Sequence, residues 1–284
     1  MTGQPVPSFA TLQASGIGDA IRAAVPPWLV PLVVGVTWLG NVVFFLALFT
    51  GDYWLGDRTR GAHALALALG GMVLVTTLKA VFAEPRPPES WHLIAAESYG
   101  FPSGHATMAT IGYGLLATQY ERGTRRLRYA VAAVLIVAVA LTRVALGVHF
   151  VRDVVAGVAT GGGFLLVASM LTDRKPGRAF SLAAAIVVAA LVVSGASPGS
   201  LVEARAILGA AGAWVVVRRE PALEQRADRR LLVGAGVPVL AALSAVSLGG
   251  FVPLAGLVVL NVLILAGVIL APTLVGRYGS AATG

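Results

Sequence analysis

Cysteine is absent from this 284-residue chain and charge is scarce, with Asp, Glu, Lys and Arg together making up 12% of it, against about 25% in ordinary soluble domains. The missing thiols exclude disulfide staples, thiolate metal sites and cysteine nucleophiles together. The missing charge excludes a soluble globular protein. No heptad or Gly-x-y period organises the 34 Gly and 15 Pro, so a coiled coil and a collagen-like polymer fall away too. What fills the chain is apolar: 57% of it is hydrophobic, and the mean hydropathy is +0.83.

A bilayer-spanning helix needs ~20 mostly apolar residues. Nine stretches approach that length: Leu29–Phe49, Ala62–Phe82, His105–Tyr120, Leu127–Leu146, Val151–Leu171, Ala179–Gly195, Leu201–Val217, Leu231–Leu248 and Val252–Val275. The sequence therefore predicts an all-α polytopic transmembrane helical bundle of about nine spans. The first span has Trp28 at one end and Tyr53 and Trp54 at the other, about 38 Å apart at ~1.5 Å per residue, as interfacial aromatic belts would be. Residues 1–28 are expected outside the membrane, with Phe9–Val25 as an interfacial helix. They lack the basic start of a cleaved signal peptide. The run Thr172–Arg178 (TDRKPGR) predicts a cytoplasmic linker, residues 172–178, between a five-span core at 29–171 and a four-span extension at 179–284.

Basic residues in membrane proteins gather in cytoplasmic loops. Under the nine-span scheme 15 of the 21 Lys and Arg fall on one side, and only Arg22, Lys79, Arg86, Arg143, Arg152 and Arg205 on the other. The excess positive charge is thus topological and does not call for nucleic acid. The N-terminus is expected outside, the C-terminus in the cytoplasm.

Four of those six exceptions, Lys79, Arg86, Arg143 and Arg152, sit at the outer ends of spans two, four and five. Three prolines bracket Arg86 in Pro85-Arg86-Pro87-Pro88, and fixed φ angles hold the guanidinium at a set reach. Span three opens on Phe101-Pro102-Ser103-Gly104-His105. A helix start offers free N–H groups to an anion, and Gly104 lets that anion approach the backbone. After span four come Thr142-Arg143, His149 and Asp153. His149 and Asp153 are four apart, so on a helix they share a face and the carboxylate can hold an imidazole N–H. Two neutral histidines beside a cationic anion pocket fit a nucleophile and a general acid in phosphoryl transfer, with cations in place of a metal.

Lys79-x6-Arg86-Pro87, Pro102-Ser103-Gly104-His105 and Thr142-Arg143-x5-His149-x3-Asp153 resemble, in order, the three signature motifs of the type 2 phosphatidic acid phosphatase superfamily. These are integral membrane lipid phosphatases related to vanadium haloperoxidases. One position departs from the pattern: Thr142 stands where the family usually has Ser, which keeps a hydroxyl. The resemblance covers roughly residues 60–171 and none of the C-terminal spans. It implies that His149 attacks phosphorus to form a phosphohistidine, with Asp153 orienting it. His105 would protonate the leaving oxygen and then activate water. Lys79, Arg86 and Arg143 would bind the phosphoryl oxygens with Ser103 and the Gly104 amide, and neither metal nor cofactor would be needed.

The expected substrate is a lipid phosphate reached from the extracytoplasmic face, a polyprenyl diphosphate first by family analogy, phosphatidic acid or a phosphoglycerol-type lipid phosphate second. The alternatives are a lipid or phosphate transporter using the same cations, without the paired interrupted spans of transporters, and a vanadate-dependent haloperoxidase. The bilayer and the lipid substrate are the expected partners, with homo-oligomerisation left open. Outside the motifs, His92 is expected to be solvated or interfacial, and His63 interfacial on the cytoplasmic side. Asn41 and Asn261 are expected as interhelical hydrogen-bond partners, Gly157 and Gly161 as helix-packing positions, and Glu203 with Arg205 as an interfacial pair.

Overall fold

A computed structural model describes residues 16–96, 98–194, 211, 214–215, 232–239 and 254–278. The described residues are helical, without a strand. The helices are α1 (Ile17–Ala23), α2 (Val30–Trp38), α3 (Val42–Leu55), α4 (Arg58–Phe82), α5 (Gly104–Gln119), α6 (Arg125–Ala145), α7 (Val151–Thr172), α8 (Pro176–Ser194) and α9 (Leu254–Tyr278). Short 3-10 turns lie at Pro27–Leu29 and Glu89–Trp91.

Among the described residues four helices are long and apolar enough to cross a membrane: α4, α6, α7 and α8 over Pro176–Val193. They coincide with the second, fourth, fifth and sixth expected spans. The chain is an integral membrane protein. On α6 the large apolar side chains left open on the protein surface are Leu127, Tyr129, Val131, Val134, Val137 and Leu141, and all but Tyr129 follow a stripe at helical spacing that suits acyl chains rather than water. The third expected span, α5, has 16 residues and ten of them are buried. A helix apolar all round belongs inside. Most of the seventh and eighth spans, and Glu203 with Arg205, lie outside the described residues.

The first span departs from expectation. Leu29–Phe49 is not one helix but two, α2 and α3, and α1 with the segment Pro27–Trp38 forms a further bend of 85°. The break at Leu39–Asn41 has two causes. Among the described residues Asn41 makes no interhelical hydrogen bond: its Oδ1 accepts the Val43 N–H at 2.9 Å and restarts the helix as a cap. Gly40 packs so closely that a Cβ there would lie 2.3 Å from Val139 Cγ1 and 3.1 Å from the His105 carbonyl oxygen.

The described residues fall into two compact units, those within 16–44 and 78–165 and those from 45–77 and from 166 onward, and the chain passes between them within α3, α4 and α7. In the first, α5 is central. Gly157 and Gly161 of α7 let that helix approach α5, with added Cβ atoms 2.6 Å from the Ser103 carbonyl oxygen and 2.7 Å from Thr110 Cβ. In the second, Leu69 and Val73 of α4 pack with Ala183, Val187 and Ala190 of α8.

The second unit also corrects the aromatic belt. Tyr53 and Trp54 are buried, the tyrosine hydroxyl donating to the Ile269 carbonyl and Trp54 Nε1 to the Val268 carbonyl, each at 2.8 Å. Pro272 lies inside α9 and has no N–H for the carbonyl four residues earlier, Val268. The indole supplies the missing donor, as buried polar groups in a membrane require. His63 is likewise not interfacial: it is buried and its Nε2 lies 2.8 Å from the Thr172 hydroxyl, which itself donates to the Ala168 carbonyl at 2.7 Å.

Candidate active site

All eight expected site residues belong to the first unit. Lys79 lies in the last turn of α4, and its stem passes Gly104, where a Cβ would lie 3.7 Å from Lys79 Cε. Its ammonium donates to the Tyr99 carbonyl. Arg86 follows on the proline-bracketed link. Its Nε donates to the Ser98 carbonyl and its Nη1 to the Val148 carbonyl, both at 2.9 Å. The fork is therefore fixed from two sides.

Ser103 is fully buried and is the N-cap of α5, its hydroxyl oxygen accepting the Ala106 N–H at 3.5 Å. Its own N–H donates to the Asp153 carbonyl at 2.9 Å, which ties the second motif to the third. Gly104 and His105 form the first turn of α5. His105 is part-exposed and lies within electrostatic reach of Arg143, His149, Arg86 and Lys79.

Arg143 closes α6 and is buried. Its Nη1 donates to the Thr37 hydroxyl at 2.9 Å, while its Nε is buried without a partner among the described residues. Thr142, the position that departs from the motif, turns its hydroxyl back to the Val139 carbonyl of its own helix at 2.6 Å. Such a bond needs only a hydroxyl, which Thr and Ser share.

His149 and Asp153 meet, but not on one helix face as their spacing predicts. His149 lies in the turn before α7, and Asp153 is the third residue of that helix. Its Oδ2 reaches back to the Phe150 N–H at 2.9 Å, as the acid of a capping box does, and lies 3.3 Å from His149 Nδ1. One carboxylate thus caps the helix and holds the imidazole. Arg86 Nη1 stands 3.1 Å from the other ring nitrogen, Nε2. A guanidinium can only donate, so Nε2 presents its lone pair and the ring proton sits on Nδ1, toward Asp153. The His149 pKa falls well below its ordinary value, because of burial first and then the charges of Arg86, Arg143 and Lys79, with a backbone hydrogen bond at Gly100 opposing them. The ring is held neutral.

Three features escape the motif pattern. Gly147 has φ +72°, and a Cβ there would lie 1.9 Å from the Trp91 carbonyl oxygen. The loop carrying Arg86 is thereby pressed onto the turn carrying His149, a contact extended by the Leu93 N–H donating to the Leu146 carbonyl at 3.0 Å. Arg152, read from sequence only as an outer cation, pairs with Glu84 and lies over the Phe101 and Phe150 rings at 5.9 and 5.8 Å. Trp91, beside His92, is covered by Arg22 of α1 at 4.0 Å. None of these is a specified position of a signature motif, although a glycine two residues before the histidine in Gly147-Val148-His149 is a legible turn signal.

Residues 61–177 match the family model of the PAP2 superfamily, a span that holds all eight site residues. Phosphatidylglycerophosphatase B of Bacillus subtilis is 30% identical over 144 residues, covering 48% of this chain and 71% of that protein. Lipid A 1-phosphatase of Rhizobium johnstonii is 29% identical over 151 residues, 49% of this chain and 50% of that enzyme. A crystal structure of a transmembrane PAP2-type phosphatidylglycerolphosphate phosphatase from Bacillus subtilis matches with a TM-score of 0.47 and 29% identity, covering 55% of this chain and 83% of that one. The chain belongs to the PAP2 superfamily and is a membrane lipid phosphatase, a phosphoric ester hydrolase.

Proposed function

We propose that the protein releases phosphate from a lipid phosphomonoester by way of a phosphohistidine at His149. The observation that carries this reading is the Nε2 lone pair of a neutral, Asp153-held imidazole beside the Arg86 fork. Nε2 attacks phosphorus and the bond to the lipid oxygen breaks, that oxygen taking a proton from His105. A water then gives its proton to His105 and attacks phosphorus, the P–N bond breaks and inorganic phosphate leaves. Lys79, Arg86 and Arg143, with Ser103 and the Gly104 amide, bind the phosphoryl oxygens and offset the charge that gathers there.

A phosphatidylglycerophosphate-type headgroup ranks first as substrate, supported by the relative of which 71% is matched. A polyprenyl diphosphate, favoured by an outward-facing pocket, ranks second. The proposed topology keeps nine spans, an extracytoplasmic site and a cytoplasmic C-terminus, supported by the 15 of 21 basic residues on one side. Residues 29–171 form the proposed catalytic core and 172–178 a cytoplasmic linker to the extension.

The test is phosphate release by the purified protein in detergent from a panel of phosphatidylglycerophosphate, phosphatidic acid and polyprenyl diphosphate, with and without EDTA. Fastest turnover of the first, unaffected by EDTA, is expected. Preference for the diphosphate would reverse the ranking, and rescue of an EDTA-treated enzyme by a divalent metal would overturn the metal-free chemistry.

A further inference from the structure

Thr37 stands outside every signature motif and outside the 61–177 span that matches the family model. It is nevertheless 4% exposed, and its hydroxyl accepts from Nη1 of the buried Arg143 at 2.9 Å. It sits one residue before the C-terminal end of α2, just ahead of the break at Leu39–Asn41. That break is itself pinned to the core: the Leu39 carbonyl accepts the Tyr113 hydroxyl of α5 at 2.9 Å, and Gly40 rests against Val139 and the His105 carbonyl. A continuous helix at Leu29–Phe49 would not hold this register. The broken first span therefore delivers one hydroxyl to one guanidinium.

A guanidinium has five donors in a rigid planar fork. Anchoring one of them fixes the plane and the direction of the rest. In Arg143 the anchored donor is on Nη1, and Nε is buried with no partner among the described residues, an arrangement suited to a phosphoryl oxygen. Without the anchor the long side chain regains rotamer freedom that phosphate binding must then remove.

We propose that Thr37 is a positioning residue of the phosphatase, acting through Arg143 by fixing its guanidinium plane. This rests on the reading that Arg143 binds the phosphoryl group, and a mutant cycle separates the two. Thr37→Val keeps the shape and removes the acceptor; Thr37→Ser keeps the acceptor. Thr37→Val should lower kcat/KM for a short-chain lipid phosphate by about 10- to 100-fold, the range of a hydrogen bond to a charged group, and should weaken inhibition by orthovanadate in parallel. Thr37→Ser should stay within about 3-fold of wild type. Arg143→Lys should lose activity, and adding Thr37→Val to it should cost nothing more, since the residue acts only through the lost fork. Thr37→Ala serves in place of Thr37→Val should the valine variant elute aggregated. Wild-type kinetics in Thr37→Val alongside an impaired Arg143→Lys would overturn the proposal and leave the site reading intact. Losses that multiply in the double variant would also overturn it, as the mark of a general packing defect. Wild-type kinetics in Arg143→Lys would instead overturn the phosphate-binding reading.

Discussion

Asp153 Oδ2 lies between the Phe150 N–H at 2.9 Å and His149 Nδ1 at 3.3 Å, so the carboxylate that starts α7 also sets the tautomer of the imidazole before it. The two duties separate on substitution. Asp153→Asn can still cap the helix through its amide oxygen but no longer offsets a cationic imidazole. It should keep the melting temperature within a few degrees while kcat falls by about 100-fold or more. A variant that unfolds, or one that turns over normally, would each break this account of Asp153.

Gly147 is the joint where two motif segments touch. Gly147→Ala puts a Cβ 1.9 Å from the Trp91 carbonyl oxygen at φ +72°, and both the left-handed backbone and the collision oppose it. A loss of about 2 kcal/mol or more in stability is expected, read as a lowered melting temperature in detergent. Activity should fall with it, because Arg86 and His149 lose their register. Unchanged stability would show that the loop and the turn are not pressed together.

His149 is held neutral by burial and by three neighbouring cations. A depressed pKa means the imidazole proposed as nucleophile stays unprotonated as pH falls through its ordinary value of about 6.5. Corrected for the substrate's own second ionisation near ~6, kcat/KM should show no acid limb at about 6.5. An acid limb at or above that value would contradict the electrostatics described for the pocket.

The members of the candidate site were legible because Lys79, Arg86, His105, Arg143, His149 and Asp153 are costly at a membrane boundary and stand out against apolar runs. Their means of connection was not. Spacing alone put His149 and Asp153 on one helix face, whereas the helix begins between them and a cap makes the contact. Thr37 is one hydroxyl in an apolar stretch, and nothing in the local pattern marks the Arg143 it meets 106 residues away. The first span failed for a related reason: Gly40 and Asn41 break a helix only because α5 and α6 offer a surface that close backbone packing can use. Tyr53 and Trp54 matched an interfacial belt by position, but the carbonyl freed by Pro272 draws the indole inward.

Orientation decides which lipid pool the enzyme reaches. The chain has no cysteine, so single cysteines can be placed without background at Ala95, exposed in the loop before α5, and at Glu121, exposed in the loop after it. Glu121 is preferable to Thr124, whose hydroxyl caps α6. In intact cells an impermeant maleimide should label the Ala95 site and spare the Glu121 site until the membrane is opened. The reverse pattern would put the pocket in the cytoplasm.

Rapid quenching in alkali of the enzyme turning over a lipid phosphate labelled in its phosphoryl group, followed by peptide mapping, tests the proposed covalent step at His149 Nε2 most directly. An acid-labile, alkali-stable label on the peptide containing His149, absent from His149→Ala together with turnover, is the predicted result. Label on another residue, or phosphate release by His149→Ala at the wild-type rate, would contradict it.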